Sequence, residues 1–354
     1  MENDYSDIRV VEKVRDVLKW PTDTVEIDYV DPNDSSKVEY PHTIIVFFPG
    51  NPGLVGWYIP SLLNLVKRAG RGFAARGVSY AGHGTPDDIA NVEKWLSRKE
   101  ERDTDLAFTV DGQIVHKENY MDMLEQEMLE HPNKKTASRP RYIFLAHSIG
   151  CHMIQRLLIR RMDILRQTDL VLYMMPFSRM KSHAWSEYLL FKLSAMPEPV
   201  IGHAQSLMRV LAALPVHFLD TLLKGDITCP NGRRITVDLL QQVHFGRNWF
   251  ELGMEEVRDL PEVPDFPAFR IIGEYCPICI LFVGNDKWAP EFHIKDLEDL
   301  QAKGVIPKNI HTAYLPQLVH DYVVRPHMVV PVDDFCFDAI QKHVLEARNP
   351  QSRL

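Results

Sequence analysis

No uninterrupted apolar stretch of this chain reaches the roughly 18 residues that a membrane-spanning helix needs, so no spanning helix is expected. Cysteine is scarce. Five residues, an odd number and scattered, do not make the framework of a disulfide-stapled secreted domain and fit a reducing compartment. Basic charge is also in deficit: 40 Lys and Arg against 48 Asp and Glu leave a net charge of −8, which argues against sequence-nonspecific nucleic-acid binding. The opening Met-Glu-Asn-Asp-Tyr-Ser-Asp is acidic and lacks the apolar core of a secretory signal. Without such a signal the glycosylation sequon Asn33-Asp34-Ser35 carries little weight. There is no internal repeat, no long low-complexity run, no phosphate-cradling P-loop and no dinucleotide glycine fingerprint. The expectation from these absences is a cytosol-facing protein.

What is present fits a globular protein: 354 residues, 45% hydrophobic and 25% charged, enough for one large α/β domain or two medium ones. Apolar runs read as strands at Asp23–Tyr29, Thr43–Phe48, Gly72–Tyr80, Arg141 onward, Leu170–Met175, Ile278–Val283 and Ile310–Leu315. Helical stretches read at Trp57–Ala69, Lys117–Glu130, Phe292–Lys303 and Asp333–Ala347, and one follows Gly150. This alternation predicts parallel βαβ units and a mostly parallel sheet flanked by helices. From about Pro176 to Gly273 the rhythm changes, with helical stretches such as Ala184–Leu193 and Gln205–Leu223 and no strand between them. The expected organisation is therefore a core of residues 1–175 and 274–354, with a helical cap, residues 176–273, inserted after the sixth strand. A separate helical domain is the alternative.

The chemistry centres on Ala146-His147-Ser148-Ile149-Gly150, where a strand breaks at a small residue, presents a serine and passes through glycine into a helix. That is the layout of a nucleophile elbow, whose sharp turn holds the serine oxygen exposed above a sheet. Serine alone is a weak nucleophile and needs a base, and the base needs an orienting group. Asp286, just beyond Ile278–Val283, and His320, just beyond Ile310–Leu315, supply both in the order Ser, Asp, His. The tetrahedral intermediate also requires donors for its negative oxygen. The backbone N–H of Ile149 is one candidate. The loop Pro49-Gly50-Asn51-Pro52-Gly53 offers the other, and because Pro52 has no N–H the candidate there is Asn51. His147 and His152 flank the elbow and are placed to influence the serine, though packing is the favoured reading, and His83 reads as shaping the loop after a strand. Cys276-Pro277-Ile278-Cys279 has metal-pair spacing without a second pair, and positions three apart in a strand face opposite sides. Both cysteines read as core or edge residues, and neither metal nor organic cofactor is expected.

Together with Ile44–Gly53 and Ala146–Gly150, the stretches Gly112–Lys117, Gly284–Pro290 and Val319–Val323 resemble the lipid droplet-associated hydrolase family. Gly112-Gln113-Ile114-Val115-His116-Lys117 has no chemical reading of its own and enters only through this resemblance. The resemblance implies an α/β-hydrolase fold, a lipid ester substrate of sterol or acyl-glycerol type, and the same three residues, Ser148, Asp286 and His320. It also implies residence at the cytoplasmic face of lipid droplets, with the endoplasmic reticulum as a second location. Ala146 departs from the elbow's common glycine. Two other classes remain open: a droplet-binding or organising protein with a slow or vestigial site, and a serine peptidase or amidase. The apolar segment Gln205–Leu219, including Leu211, Leu214 and Phe218, either packs on the sheet or meets lipid.

Overall fold

The runs Thr43–Phe48 and Ile278–Val283 are buried at every position, as expected of strands covered on both faces. In the computed structural model, which describes residues 7–83, 109–134, 138–179, 213–225, 227–241 and 245–348, these are two of nine strands. The strands are β1 (Ile8–Val17), β2 (Trp20–Asp31), β3 (Asp34–Val38), β4 (Thr43–Phe48), β5 (Phe73–Val78), β6 (Arg141–His147), β7 (Thr168–Met174), β8 (Ile278–Val283) and β9 (Ile310–Leu315). They form one sheet in the order β1-β2-β5-β4-β6-β7-β8-β9, with β3 paired to β2 off this path. Strands β5 to β9 along that path are parallel, and β1 and β2 are antiparallel additions at one edge. The described helices are α1 (Ile59–Ala69), α2 (Val110–Glu130), α3 (Ile149–Arg160), α4 (Met162–Leu165), α5 (Val216–Leu223), α6 (Pro230–Leu240), α7 (Phe245–Asp259), α8 (Phe266–Tyr275), α9 (Phe292–Ala302) and α10 (Pro326–Ile340).

The two-residue period of the strands divides the core in two. Ile44, Val46, Phe48, Phe144, Ala146, Tyr173 and Ile280 face one side, where they meet α2, α3 and α8. Ile45, Phe47, Ile143, Leu145, Leu172 and Leu281 face the other, against α1 and α10. Cys276 falls in the first cluster and Cys279 in the second, on opposite sides of the sheet. Burial pushes both thiols up to about 12, so they are packing groups rather than thiolates.

Three local features differ from the sequence expectation. The hairpin β1–β2 was not anticipated, and its turn explains why: Leu18 and Lys19 both have positive φ, 52° and 64°, a conformation that Asn-Gly or Gly usually announces. In addition β1 buries only its two ends, Ile8 and Val17, as befits an edge strand carrying charge. Helix α2 begins at Val110, seven residues before Lys117. The Thr109 side chain caps it by accepting from the Gly112 N–H at 3.0 Å, and the glycine in its first turn hides that start from a propensity reading. The last helical stretch starts earlier, at Pro326, contains Pro331, and continues through a π-helical turn at Gln341–Leu345 to Glu346–Arg348.

The expected insertion follows β7, the seventh strand in chain order and the sixth on the main path of the sheet. Within it α5, α6, α7 and α8 are described, and the expected boundary at Gly273 falls inside α8, whose Phe269 and Ile272 enter the sheet core. The stretch Ala184–Leu193 and the part of Gln205–Leu223 before residue 213 lie outside the described residues.

Candidate active site

Parallel strands bring their C-terminal ends to one rim. Phe48 of β4 pairs with Ala146 of β6, so the loop after β4 lies beside the turn after β6. In that turn Ser148 has φ 54° and ψ −128°, a left-handed backbone that costs of order 1–3 kcal/mol for a residue with a β-carbon. Neighbouring glycines make the turn possible. A Cβ on Gly150 would stand 2.5 Å from the Phe48 carbonyl oxygen, and one on Gly50 would stand 2.7 Å from Ser148 Cβ. Ala146 lies within β6 and is not among the residues with positive φ, which is why alanine serves where glycine is common.

The expected carboxylate and histidine follow β8 and β9, the last two strands on the path of the sheet. Asn285 turns the chain after β8 with φ 51°, and Gly284 lets it pass the Pro316 carbonyl, where a Cβ would come within 2.1 Å. Asp286 then accepts at Oδ1 from the backbone N–H groups of Trp288 at 2.8 Å and Ala289 at 3.0 Å. His320 Nδ1 donates to the same carboxylate, 2.8 Å from Oδ2 and 3.0 Å from Oδ1. Burial pushes the Asp286 carboxyl up, but the adjacent His320 and the three hydrogen bonds outweigh it and leave the group below its ordinary value. Because a carboxylate only accepts, the proton of neutral His320 sits on Nδ1 and the lone pair on Nε2. That lone pair faces Ser148 Oγ at 3.0 Å. Of the three side chains expected from chain order, His320 thus lies within hydrogen-bond reach of both Asp286 and Ser148.

The loop 49–53 lies against this group. Its Asn51 side chain is occupied with α7: Nδ2 donates to the Trp249 carbonyl at 3.4 Å, and Gly253 gives it room, since a Cβ there would stand 3.3 Å away. What Asn51 can offer an oxyanion is its backbone N–H. Ile149 heads α3, where the first N–H groups have no partner within the helix.

The sequence favours packing for His147 over an influence on the serine, but the structure wires it into this arrangement. Its Nε2 lies 3.0 Å from the His320 carbonyl oxygen and its Nδ1 2.8 Å from Tyr58 Oη. A carbonyl only accepts, so His147 donates from Nε2 and receives the Tyr58 hydroxyl proton at Nδ1. Burial, assisted by the neighbouring His320, pushes His147 down to about 3 and keeps it neutral. Nothing in the spacing of Tyr58 announces this contact, which spans 89 residues of chain. His83, expected to shape its loop, does so by donating from Nδ1 to the Pro52 carbonyl at 2.7 Å. Among the described residues no group of three or more His, Cys, Asp or Glu is placed to hold a metal ion, and no helix is long and apolar enough to cross a membrane.

Sheet order, elbow and rim define the α/β-hydrolase fold, and solved structures agree. The haloalkane dehalogenase DatA of Agrobacterium tumefaciens superposes with a TM-score of 0.53 at 13% identity, over 95% of this chain and 97% of that one. A carboxyl esterase of Bacillus coagulans gives 0.53 at 11% identity, over 95% and 98%. At such identities the likeness establishes the fold alone. The family follows from sequence: the profile of the lipid-droplet associated hydrolases matches residues 41–323, and the chain belongs to that family. A lipid droplet-associated hydrolase of Gallus gallus is 29% identical over 132 residues, a stretch amounting to 37% of this chain and 36% of the relative. The matched stretch thus spans about a third of the relative's length.

Proposed function

We propose that the protein is a serine hydrolase of lipophilic carboxylic esters, of sterol or acyl-glycerol type, working at the lipid-droplet surface. The observation that carries this reading is the continuous hydrogen-bond line from Asp286 through His320 to Ser148 Oγ. In the reaction Ser148 Oγ attacks the ester carbonyl while His320 Nε2 takes its proton. The resulting oxyanion is held by the backbone N–H groups of Ile149 and Asn51. As the tetrahedral intermediate collapses, His320 returns the proton to the departing alcohol and leaves an acyl-serine. Water, deprotonated by the same imidazole, then releases the carboxylic acid. Asp286 stays ionised, keeping the proton on Nδ1 and stabilising the imidazolium.

Residues 176–273 are assigned as the cap. Helix α7 rests on the Asn51 side chain, which supports a cover over the rim. In α5, Val216, Phe218 and Leu222 are 54%, 46% and 55% exposed, while Leu219 is buried. Three large apolar side chains left in water on one short helix favour a lipid interface as their partner. The family's association with droplets agrees with that choice. The test is labelling of the purified chain with a fluorophosphonate. One adduct, on Ser148, is expected and should vanish in Ser148→Ala. Labelling of the folded variant at another serine would overturn the assignment.

A further inference from the structure

The stretch Gly112–Lys117 takes no part in the reaction above, yet it places three fully buried polar side chains on one turn of α2: Gln113, His116 and Lys117. Their hydrogen bonds can be followed to the end. The Trp20 carbonyl only accepts, so the Thr22 hydroxyl donates to it at 3.0 Å. Thr22 Oγ1 must then receive the Nε2–H of His116 at 2.9 Å. His116 Nδ1 consequently carries a lone pair and accepts from Lys117 Nζ at 3.1 Å. A second Lys117 proton goes to the Ser79 carbonyl at 2.8 Å. Burial holds the Lys117 amine well below its ordinary value, and the nitrogen also lies 4.8 Å from the centroid of the Tyr80 ring. Among the described residues no carboxylate pairs with Lys117. Gln113 clasps the same strand end, accepting from Ala81 N–H at 3.0 Å and donating to the Ala81 carbonyl at 3.1 Å.

Two of the residues at this strand end, Ser79 and Tyr80, are in turn bonded to the loop beside Ser148. Tyr80 Oη donates to the Pro49 carbonyl at 2.6 Å, and Tyr80 N–H donates to the Gly53 carbonyl at 3.0 Å. Ser79 Oγ accepts from Val55 N–H at 3.0 Å. Gly53 lies so close to the Tyr80 ring that a Cβ would come within 2.3 Å of Cγ. Both ends of the loop 49–53 are therefore fixed to residues 79–80, and those are fixed to α2.

We propose that Gln113, His116 and Lys117 are positioning residues for the oxyanion loop, acting through Ser79 and Tyr80 without touching substrate. The assignment of a catalytic consequence rests on the hydrolase reading above. Burying a lysine without a carboxylate partner is costly, and an apolar side chain would fill the same space more cheaply if folding were the sole demand.

Two variants test this, Lys117→Met and Tyr80→Phe; the second removes one oxygen and leaves the ring in place. With p-nitrophenyl butyrate, kcat should fall about tenfold in each, because an oxyanion donor moved off line loses part of its stabilisation. KM should stay within about twofold. Affinity for a trifluoromethyl ketone, which forms the tetrahedral adduct on serine, should fall in parallel with kcat, a change that a purely structural role would not produce in a folded enzyme. Independently of catalysis, amide hydrogen exchange of the segment 49–55 should accelerate in both variants. Unchanged exchange there, or unchanged kcat and ketone affinity in folded Tyr80→Phe, would overturn the positioning role. A wild-type chain that neither turns over the ester nor labels at Ser148 would overturn the hydrolase reading instead, and the exchange measurement would still decide the positioning.

Discussion

Replacing Gly50 by alanine isolates the contact between the oxyanion loop and the elbow. The added Cβ would stand 2.7 Å from Ser148 Cβ, 2.9 Å from His147 Nδ1 and 3.3 Å from the His147 carbonyl oxygen. Ordinary carbon–carbon contact begins at about 3.5 Å, so the loop must retreat from Ser148 by several tenths of an ångström or more. Neither Ser148 Cβ nor the His147 carbonyl can rotate aside, and His147 is held at both ring nitrogens. Gly50 is not among the glycines of positive φ, so the strain is one of space rather than of backbone angle. Overpacking of this kind costs about 1–3 kcal/mol of stability. The catalytic effect should be larger, because a misplacement approaching 1 Å lowers turnover about 100-fold. Gly50→Ala should therefore remain folded, with a thermal midpoint lowered by a few degrees at most, roughly 1.3 °C per kcal/mol for a chain of this size. Its fluorophosphonate labelling rate and ester turnover should drop by about two orders of magnitude. The assays are a thermal melt and a time course of labelling on the same preparation. Wild-type labelling in a folded Gly50→Ala would refute the argument that this loop supplies the oxyanion donor.

His320→Ala and Asp286→Asn should each reduce ester turnover by about 10⁴-fold, and adding Ser148→Ala to either should cost little more because the three act as a unit; steady-state kinetics with near-normal turnover in His320→Ala would point to another base. Phe218→Asp with Leu222→Asp should weaken binding to triolein emulsions at least about tenfold, since two apolar side chains worth about 1.5–3 kcal/mol each leave the interface. Flotation measures the binding, labelling of Ser148 should be retained, and undiminished flotation would place the lipid contact elsewhere. Below their unfolded value of 6.5, the buried histidines His83 (lowered to about 4), His147 (about 3), His152 (about 4) and His116 (lowered well below 6.5) bind protons in the unfolded chain before the folded one. Each should remove about 1 kcal/mol of stability between pH 6.5 and 5.5. Burial also lowers His131, His311 and His343, and it raises the carboxyls of Glu118, Glu255, Glu256 and Asp333, which oppose the histidines as four groups against seven, so the urea midpoint should fall on acidification, and a midpoint that rises would refute the assignment of these rings as neutral.

The sequence alone determined the strands that are buried on both faces, because such strands must be continuous apolar runs. Thr43–Phe48, Ile278–Val283 and the run before Ser148 could be read without any tertiary knowledge. It also determined the order of Ser148, Asp286 and His320 and their places just after strands. Parallel strands deliver such places to one rim, which is why the chain order translated into a 3.0 Å contact between residues 172 positions apart. Tertiary structure decided what carries no local signature. The edge hairpin β1–β2 turns on Leu18-Lys19, residues of no turn preference, and its charged strand looks like a solvated segment until β2 is found beside it. The engagement of His147 with Tyr58 and with the His320 carbonyl arises from packing between distant segments, and a histidine next to a serine reads the same whether or not those partners exist. Gly112–Lys117 makes the point most plainly. As a string, Gln113, His116 and Lys117 look like the polar face of a helix, but the fold turns that face inward, where each proton must find a carbonyl, a hydroxyl or a ring nitrogen, and the loop beside Ser148 is fastened there because water is not.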